Sequence, residues 1–143
     1  MLFRSVATGK ALLSVQTAQA LMALPEKLPK FTKHTLYRRA ALLKALEKAR
    51  IDGFATNIGE WREQVGGVAA VIYDYTGMPH AALGLTVPVE RLQPKVVARY
   101  VPMLTAAAAE ISRMMGASPT RERLARGASG GLPAGRERGP PTP

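Results

Sequence analysis

The feature that most constrains this 143-residue chain is an apolar run answered across a short turn. Val68 to Asp74, VAAVIYD, ends in β-branched and aromatic residues, as suits a strand buried on at least one face. Asp74-Tyr75-Thr76-Gly77 follows; aspartate favours the first position of a turn, and glycine supplies the positive φ that closes a short hairpin loop. HAALGLTV, His80 to Val87, returns as the partner strand.

Around this hairpin the periodicity is helical. Residues 6–24 are rich in Ala and Leu, and Ala11, Leu12 and Val15, then Leu21 and Leu24, make an apolar stripe. A joint at Ser14–Thr17 divides them into two short helices, with Thr17 able to cap the second. Pro25 and Pro29 frame a loop. A helix over 38–51 is expected to bury Ala41, Leu42, Ala45, Leu46 and Ala49, and Gly53 stops it. Phe54 to Asn57 reads as a short strand. Pro94 opens a last helix, to about Met115, with a seam of Val97, Val101, Leu104, Ala108, Ile111 and Met115. Such a helix cannot persist alone against the entropy of ordering it, so it must dock on the sheet. Pro102 removes one of its backbone bonds and should bend it, and Gly116 ends it. Residues 117–143, rich in Gly, Pro and Arg without a period, read as a disordered tail. The fold class is therefore α/β (α+β), an antiparallel sheet with flanking helices.

Composition narrows the function. There is no cysteine, so disulfides, thiolate metal sites and a cysteine nucleophile are excluded. Apolar residues make up 47 % but no run reaches the ~18–20 residues of a membrane span, and no signal peptide is read. The net charge is +10. Residues 27–50 hold eight Lys or Arg against one Glu, and residues 117–143 five Arg against two Glu. No aromatic or Gly-rich interleaving accompanies these cations, so a solvated basic face is favoured over a phosphate-tracking surface.

Local motifs for chemistry are weak. Lys10 in Thr8-Gly9-Lys10 lacks the first glycine and final hydroxyl of a phosphate loop. His34 and His80 have no metal-ligand neighbours at ligating spacing. Glu60 and Glu63 flank Trp61, and a polar loop over a pocket mouth explains them better than acid–base catalysis. Trp61 either covers a ligand or packs at a subunit contact. Tyr73 reads as packing, Tyr75 and Asp74 as turn residues. No nucleophile, base and orienter can be assembled, so the chain is not read as an enzyme, and no cofactor or metal is expected.

Taken together, Ala7-Thr8-Gly9-Lys10-Ala11-Leu12-Leu13, Gly53-Phe54-Ala55, Asn57-Ile58-Gly59-Glu60, Gln64 to Asp74, Gly77, Ala81 to Pro88, Arg91-Leu92 and Ala108 to Gly116 resemble the IclR-type transcription regulators. The likeness covers about residues 6–116 and falls in the later part of the family's C-terminal effector-binding domain, a GAF/PAS-like sensor fold. It implies a domain truncated at its N-terminal side, with an incomplete sheet and without the family's winged helix-turn-helix. Leu2-Phe3-Arg4-Ser5 departs from the pattern, and residues 1–5 are read as a non-native leader.

By position, the resemblance implies that Ala7, Thr8, Asn57, Val65, Gly67, Gly84 and Thr86 line an effector site. Alternate strand residues share a face, and a helix N-terminus offers N–H groups to a carboxylate. Asn57, Gly67 and Gly84 stand where the family often has Asp, Cys and Ser, which implies a larger, less hydrogen-bonding cavity and an apolar or aromatic small organic effector. The implied whole protein is a cytoplasmic homodimer or homotetramer that meets DNA only through the missing N-terminal domain and has no membrane partner. Two other readings stay open: a stand-alone GAF-like ligand-binding module, and a basic non-specific nucleic-acid binder.

Overall fold

In the computed structural model, residues 3–119 are described. A 3-10 turn at Phe3–Ser5 leads into α1 (Ala7–Ser14) and α2 (Ala18–Met22); α3 (Arg39–Asp52) precedes β1 (Ala55–Ile58), β2 (Val65–Tyr73) and β3 (Pro79–Pro88), and α4 (Pro94–Met114) closes the order. The three strands form one antiparallel sheet in the order β1-β2-β3.

The hairpin has the expected turn. Asp74 Oδ1 accepts the N–H groups of Thr76 at 2.8 Å and Met78 at 3.2 Å, and Gly77 takes φ 83°. Its strands run slightly longer than expected, and β1 is Ala55–Ile58 instead of Phe54–Asn57. The joint after Ser14 is also present: Thr17 Oγ1 accepts the Ala20 N–H at 3.2 Å. Gly53, at φ 81°, terminates α3 through its N–H to the Ala49 carbonyl.

Helices cover both faces of the sheet. Val68, Ala70 and Ile72 of β2 pack with Leu92, Leu104 and Ala108 on the α4 side. Ala69, on the opposite face, packs with Ala7, Ala11, Ala49 and Ala55 from α1, α3 and β1. Alanines in all five positions keep that layer thin and bring α1 close to the strands. The α4 seam holds, with Leu104 and Ala108 buried and Val97, Ile111 and Met115 packed at its margin. Pro102 lies inside α4 on its exposed side, where the Ala98 carbonyl it leaves unbonded can reach water. On α3, Leu42, Leu46 and Ala49 are buried but Ala41 is exposed, a correction to the expected face. Leu42, Leu46 and Ala49 turn to a common side, while Ala41 sits about 100° away from Leu42 around the helix.

Two details fall outside the periodic reading. Arg4 and Ser5 are buried, and the Arg4 guanidinium donates to the Pro29 carbonyl at 2.6 Å. Ala117 is buried against Val15 and Tyr73; the remainder of the expected tail, from residue 120, lies outside the described residues.

Ser112 joins α4 to the sheet where the β2–β3 register shifts between Ile72 and Tyr73. Its hydroxyl accepts the Tyr73 N–H at 3.0 Å and donates to the Ala108 carbonyl at 2.8 Å, at 1 % exposure. Ser112→Ala removes both bonds and is expected to cost about 1–3 kcal/mol. Urea unfolding checks this: an unchanged midpoint would show that the N–H has another partner.

Candidate functional site

The expected site residues on the strands share one face. Asn57, Gly67 and Thr86 pair across β1, β2 and β3 as a single row, and Gly84 lies opposite Ala69 in the next row on that side. Val65 precedes Gly67 by two and so points the same way. The first turn of α1, with Ala7 and Thr8, covers this face.

Between helix and sheet lies a recess of about 90 Å³. Val6, Ala7 and Thr8 form its helical wall, Val65, Gly66, Val68, Leu85 and Thr86 its floor, and Asn57 and Trp61 its far side. Ala7, Thr8, Asn57, Val65 and Thr86 are thus brought together at one place. Gly67 and Gly84 are not part of the lining. A Cβ on Gly67 would lie 2.9 Å from the Leu85 carbonyl oxygen, and one on Gly84 would lie 2.6 Å from Thr8 Cγ2. Strand backbone and α1 already fill the room these side chains would take. The expectation that the two glycines enlarge the cavity is therefore corrected: they let α1 sit down on the sheet.

The recess has a polar end. Val6 begins α1 without a side-chain cap, so the first-turn N–H groups have no partner within the helix. Asn57 is 3 % exposed, and its Oδ1 accepts the Glu60 N–H at 3.0 Å, which leaves its amide nitrogen as the donor it can offer. Trp61 is half-buried in the wall, with the Arg62 guanidinium stacked 4.5 Å from its ring centre. The sequence leaves its role open between covering a ligand and packing at a subunit contact, and Trp61 is not among the residues expected to line the site.

Glu60 requires a second correction. It is not a polar residue at the pocket mouth; Glu63 is exposed, but Glu60 is 8 % exposed. Its Oε1 lies 2.7 Å from Lys10 Nζ, which also donates to the Thr56 carbonyl at 2.7 Å. Burial pushes the Glu60 carboxyl above its ordinary value, and the Lys10 ammonium works against that push. Lys10 is committed to this pair and to an edge-strand carbonyl, which is not the setting of a phosphate-binding lysine. A signal for it existed in the sequence: Lys10 shares with Ala7, Ala11 and Ser14 the i, i+3, i+4, i+7 stripe that faces inward.

Elsewhere the chemistry is sparse. His34 and His80 are exposed, and among the described residues no group of three His, Cys, Asp or Glu could hold a metal ion. No helix among them is long and apolar enough to cross a membrane. A larger groove, about 490 Å³, runs between β1 and the start of α4, lined by Phe54, Ile58, Val97 and Val101 among others. It is almost wholly apolar and holds none of the expected site residues.

Comparison with known proteins matches residues 2–113 to the family described as bacterial transcriptional regulator IclR C-terminal. The HTH-type transcriptional regulator KdgR of Escherichia coli (strain K12) is 30 % identical over 114 residues, 78 % of this chain and 43 % of that protein. The chain thus spans less than half the length of this relative. The crystal structure of the C-terminal domain of E. coli KdgR superposes with a TM-score of 0.71 at 30 % identity, covering 80 % of this chain and 71 % of the other. The Agobacterium tumefaciens repressor BlcR gives a TM-score of 0.75 at 25 % identity, over 80 % of this chain and 47 % of its own. The inducer-binding domain of Acinetobacter PobR, solved with 3-hydroxybenzoic acid, shares the fold at 23 % identity and a TM-score of 0.70, covering 78 % and 66 %. The family match along residues 2–113, with sheet, flanking helices and regulator relatives in agreement, establishes that the chain belongs to the IclR C-terminal family, the effector-binding part of bacterial transcriptional regulators and not an enzyme family.

Proposed function

We propose that the recess between α1 and the sheet receives a small organic effector, whose carboxylate meets the first turn of α1 and whose apolar or aromatic body lies against Val65 and Trp61. The observation that supports this is the convergence of Ala7, Thr8, Asn57, Val65 and Thr86 on one concavity beside an uncapped helix N-terminus. A recess of about 90 Å³ is below the ~300–1,000 Å³ of most ligand pockets, so the effector enters by moving the wall that holds Trp61. In a whole regulator, such binding biases a dimer or tetramer between states that a separate domain reads out on DNA. The cytoplasm is the compartment that suits this role.

A thermal-shift panel with 3-hydroxybenzoate and glyoxylate as probes tests the reading. A ligand at a hundred times its Kd stabilises the folded chain by about 2.7 kcal/mol. The expected result is stabilisation by the aromatic acid that Thr8→Val combined with Asn57→Leu removes. Stabilisation by glyoxylate alone would count against an apolar or aromatic effector, and a shift indifferent to both substitutions would place the ligand elsewhere.

A further inference from the structure

Glu60 is a junction in this fold. Its side chain reaches α1 through Lys10, its N–H is held by Asn57 Oδ1, and its carbonyl accepts the Thr35 hydroxyl at 2.6 Å. Thr32 adds a bond to the neighbouring Gly59 carbonyl at 2.6 Å. The next residue along is Trp61, in the wall of the recess. Lys10 lies one turn beyond Ala7, on the helix whose first turn forms the opposite wall. Glu60 Oε1 and Lys10 Nζ are 2.7 Å apart, with side chains 10 % and 5 % exposed. Among the described residues Glu60 Oε2 is buried with no hydrogen-bond partner.

A buried ion pair of this kind is a poor source of net stability, because desolvating both charges offsets their attraction. What it does supply is a fixed geometry between the two elements that present the charges. We infer that Lys10 and Glu60 are positioning residues for the effector recess: their pair latches the Gly59–Gln64 loop, and Trp61 with it, against α1. The inference rests on the reading of the recess as the effector site and adds how that site is held shut. Entry of an effector requires the Trp61 wall to move, so the latch sets how easily the recess opens without itself touching the ligand.

Trp61 is the chain's one tryptophan, so its fluorescence reports the loop with no ligand present. Acrylamide quenching is measured on the full 143-residue chain, with far-UV circular dichroism on the same samples. In Glu60→Gln the latch loses its charge, and the quenching constant is expected to rise at least about twofold with the helical signal unchanged, the mark of local opening. Lys48→Met, which removes an exposed cation from a surface pair with Asp52, should leave quenching as it is. In the unsubstituted chain the Trp61 signal should change in one step as pH falls, at a pH above the ordinary Glu value of 4.5. Lys10 from α1, Lys33 and His34 from the segment packed on Gly59, and Arg62 and Glu63 on the same loop are the charged or titratable groups around Glu60. The step should persist in His34→Gln and in Glu63→Gln and vanish in Glu60→Gln.

A folded Glu60→Gln chain with unaltered quenching would overturn the inference, as would a step that survives Glu60→Gln or disappears in His34→Gln or Glu63→Gln. Should Glu60→Gln not fold, the pH profiles of the unsubstituted chain, His34→Gln and Glu63→Gln decide, and a flat profile above 4.5 overturns it. Because no effector enters this measurement, it can fail while the thermal-shift panel succeeds, and the reverse.

Discussion

Lys10→Met is expected to lower the unfolding free energy by about 3–5 kcal/mol at neutral pH, the usual consequence of removing one partner from a buried ion pair. The reason is the carboxylate left behind. Among the described residues Glu60 already has one buried oxygen without a partner, and Lys10 is the cation that holds its charged form in place. The pH dependence follows from the direction of the Glu60 shift. Burial raises its folded-state pKa above the unfolded value, so between the two the folded chain binds more proton than the unfolded one. Stability from this group is therefore fully present below the unfolded value and is lost as pH rises through the folded one. Without Lys10 the rise is larger, so the deficit of Lys10→Met should be greatest at neutral pH and should shrink as Glu60 takes up its proton. Lys10→Met combined with Glu60→Gln carries no buried charge and should recover most of the loss. Urea unfolding of the unsubstituted chain, both single variants and the double variant at pH 7 and pH 5 checks this. An equal loss in Lys10→Met at both pH values would show that the missing packing of the lysine stem, not the orphaned charge, is responsible.

This pair also marks the limit of what could be read without coordinates. The hairpin was legible because its signals are local: Asp74 and Gly77 sit in the turn they shape, and the alternation flanks them. The caps at Thr17 and Gly53 were legible for the same reason. Lys10 and Glu60 are 50 residues apart, and although the inward stripe of α1 hints at a buried Lys10, nothing local to either residue names the other as its partner. What brings them together is the close seating of α1, which depends on alanines and on Gly67 and Gly84. In the sequence those glycines stand for lost side chains and thus for added space. Only the packing reveals that Thr8 and the β3 backbone occupy it. The strand positions Val65, Asn57 and Thr86 were open to inspection only through the family resemblance, with period-two alternation then telling which neighbours on each strand share their face. Trp61 was not, because a loop has no period from which to infer where its side chains point.

The loop that carries Trp61 is braced from a second apolar cluster, distinct from those that pack on the sheet. Leu28, Leu42 and Leu46 form a separate leucine cluster, with Leu13, Leu21, Leu24 and Leu36 packed around it. Leu46 is 1 % exposed within it. Leu46→Ala deletes the side chain from the middle of this cluster and should cost about 2–5 kcal/mol in urea unfolding, depending on how far the surrounding leucines collapse into the space. Ile51→Ala on the same helix, at 70 % exposure, should stay within about 0.5 kcal/mol. The loss should also be uneven across the fold. The cluster anchors the segment from Leu28 to Leu36, whose Thr32 and Thr35 hydroxyls hold the Gly59 and Glu60 carbonyls. Under native conditions, hydrogen exchange of the Glu60 N–H should therefore accelerate more than that of Val68 to Ile72, which lie in the centre of the sheet. Equal acceleration at both places would mean that the leucine cluster unfolds only together with the sheet, and that the brace and the recess wall have no independent motion through which an effector could enter.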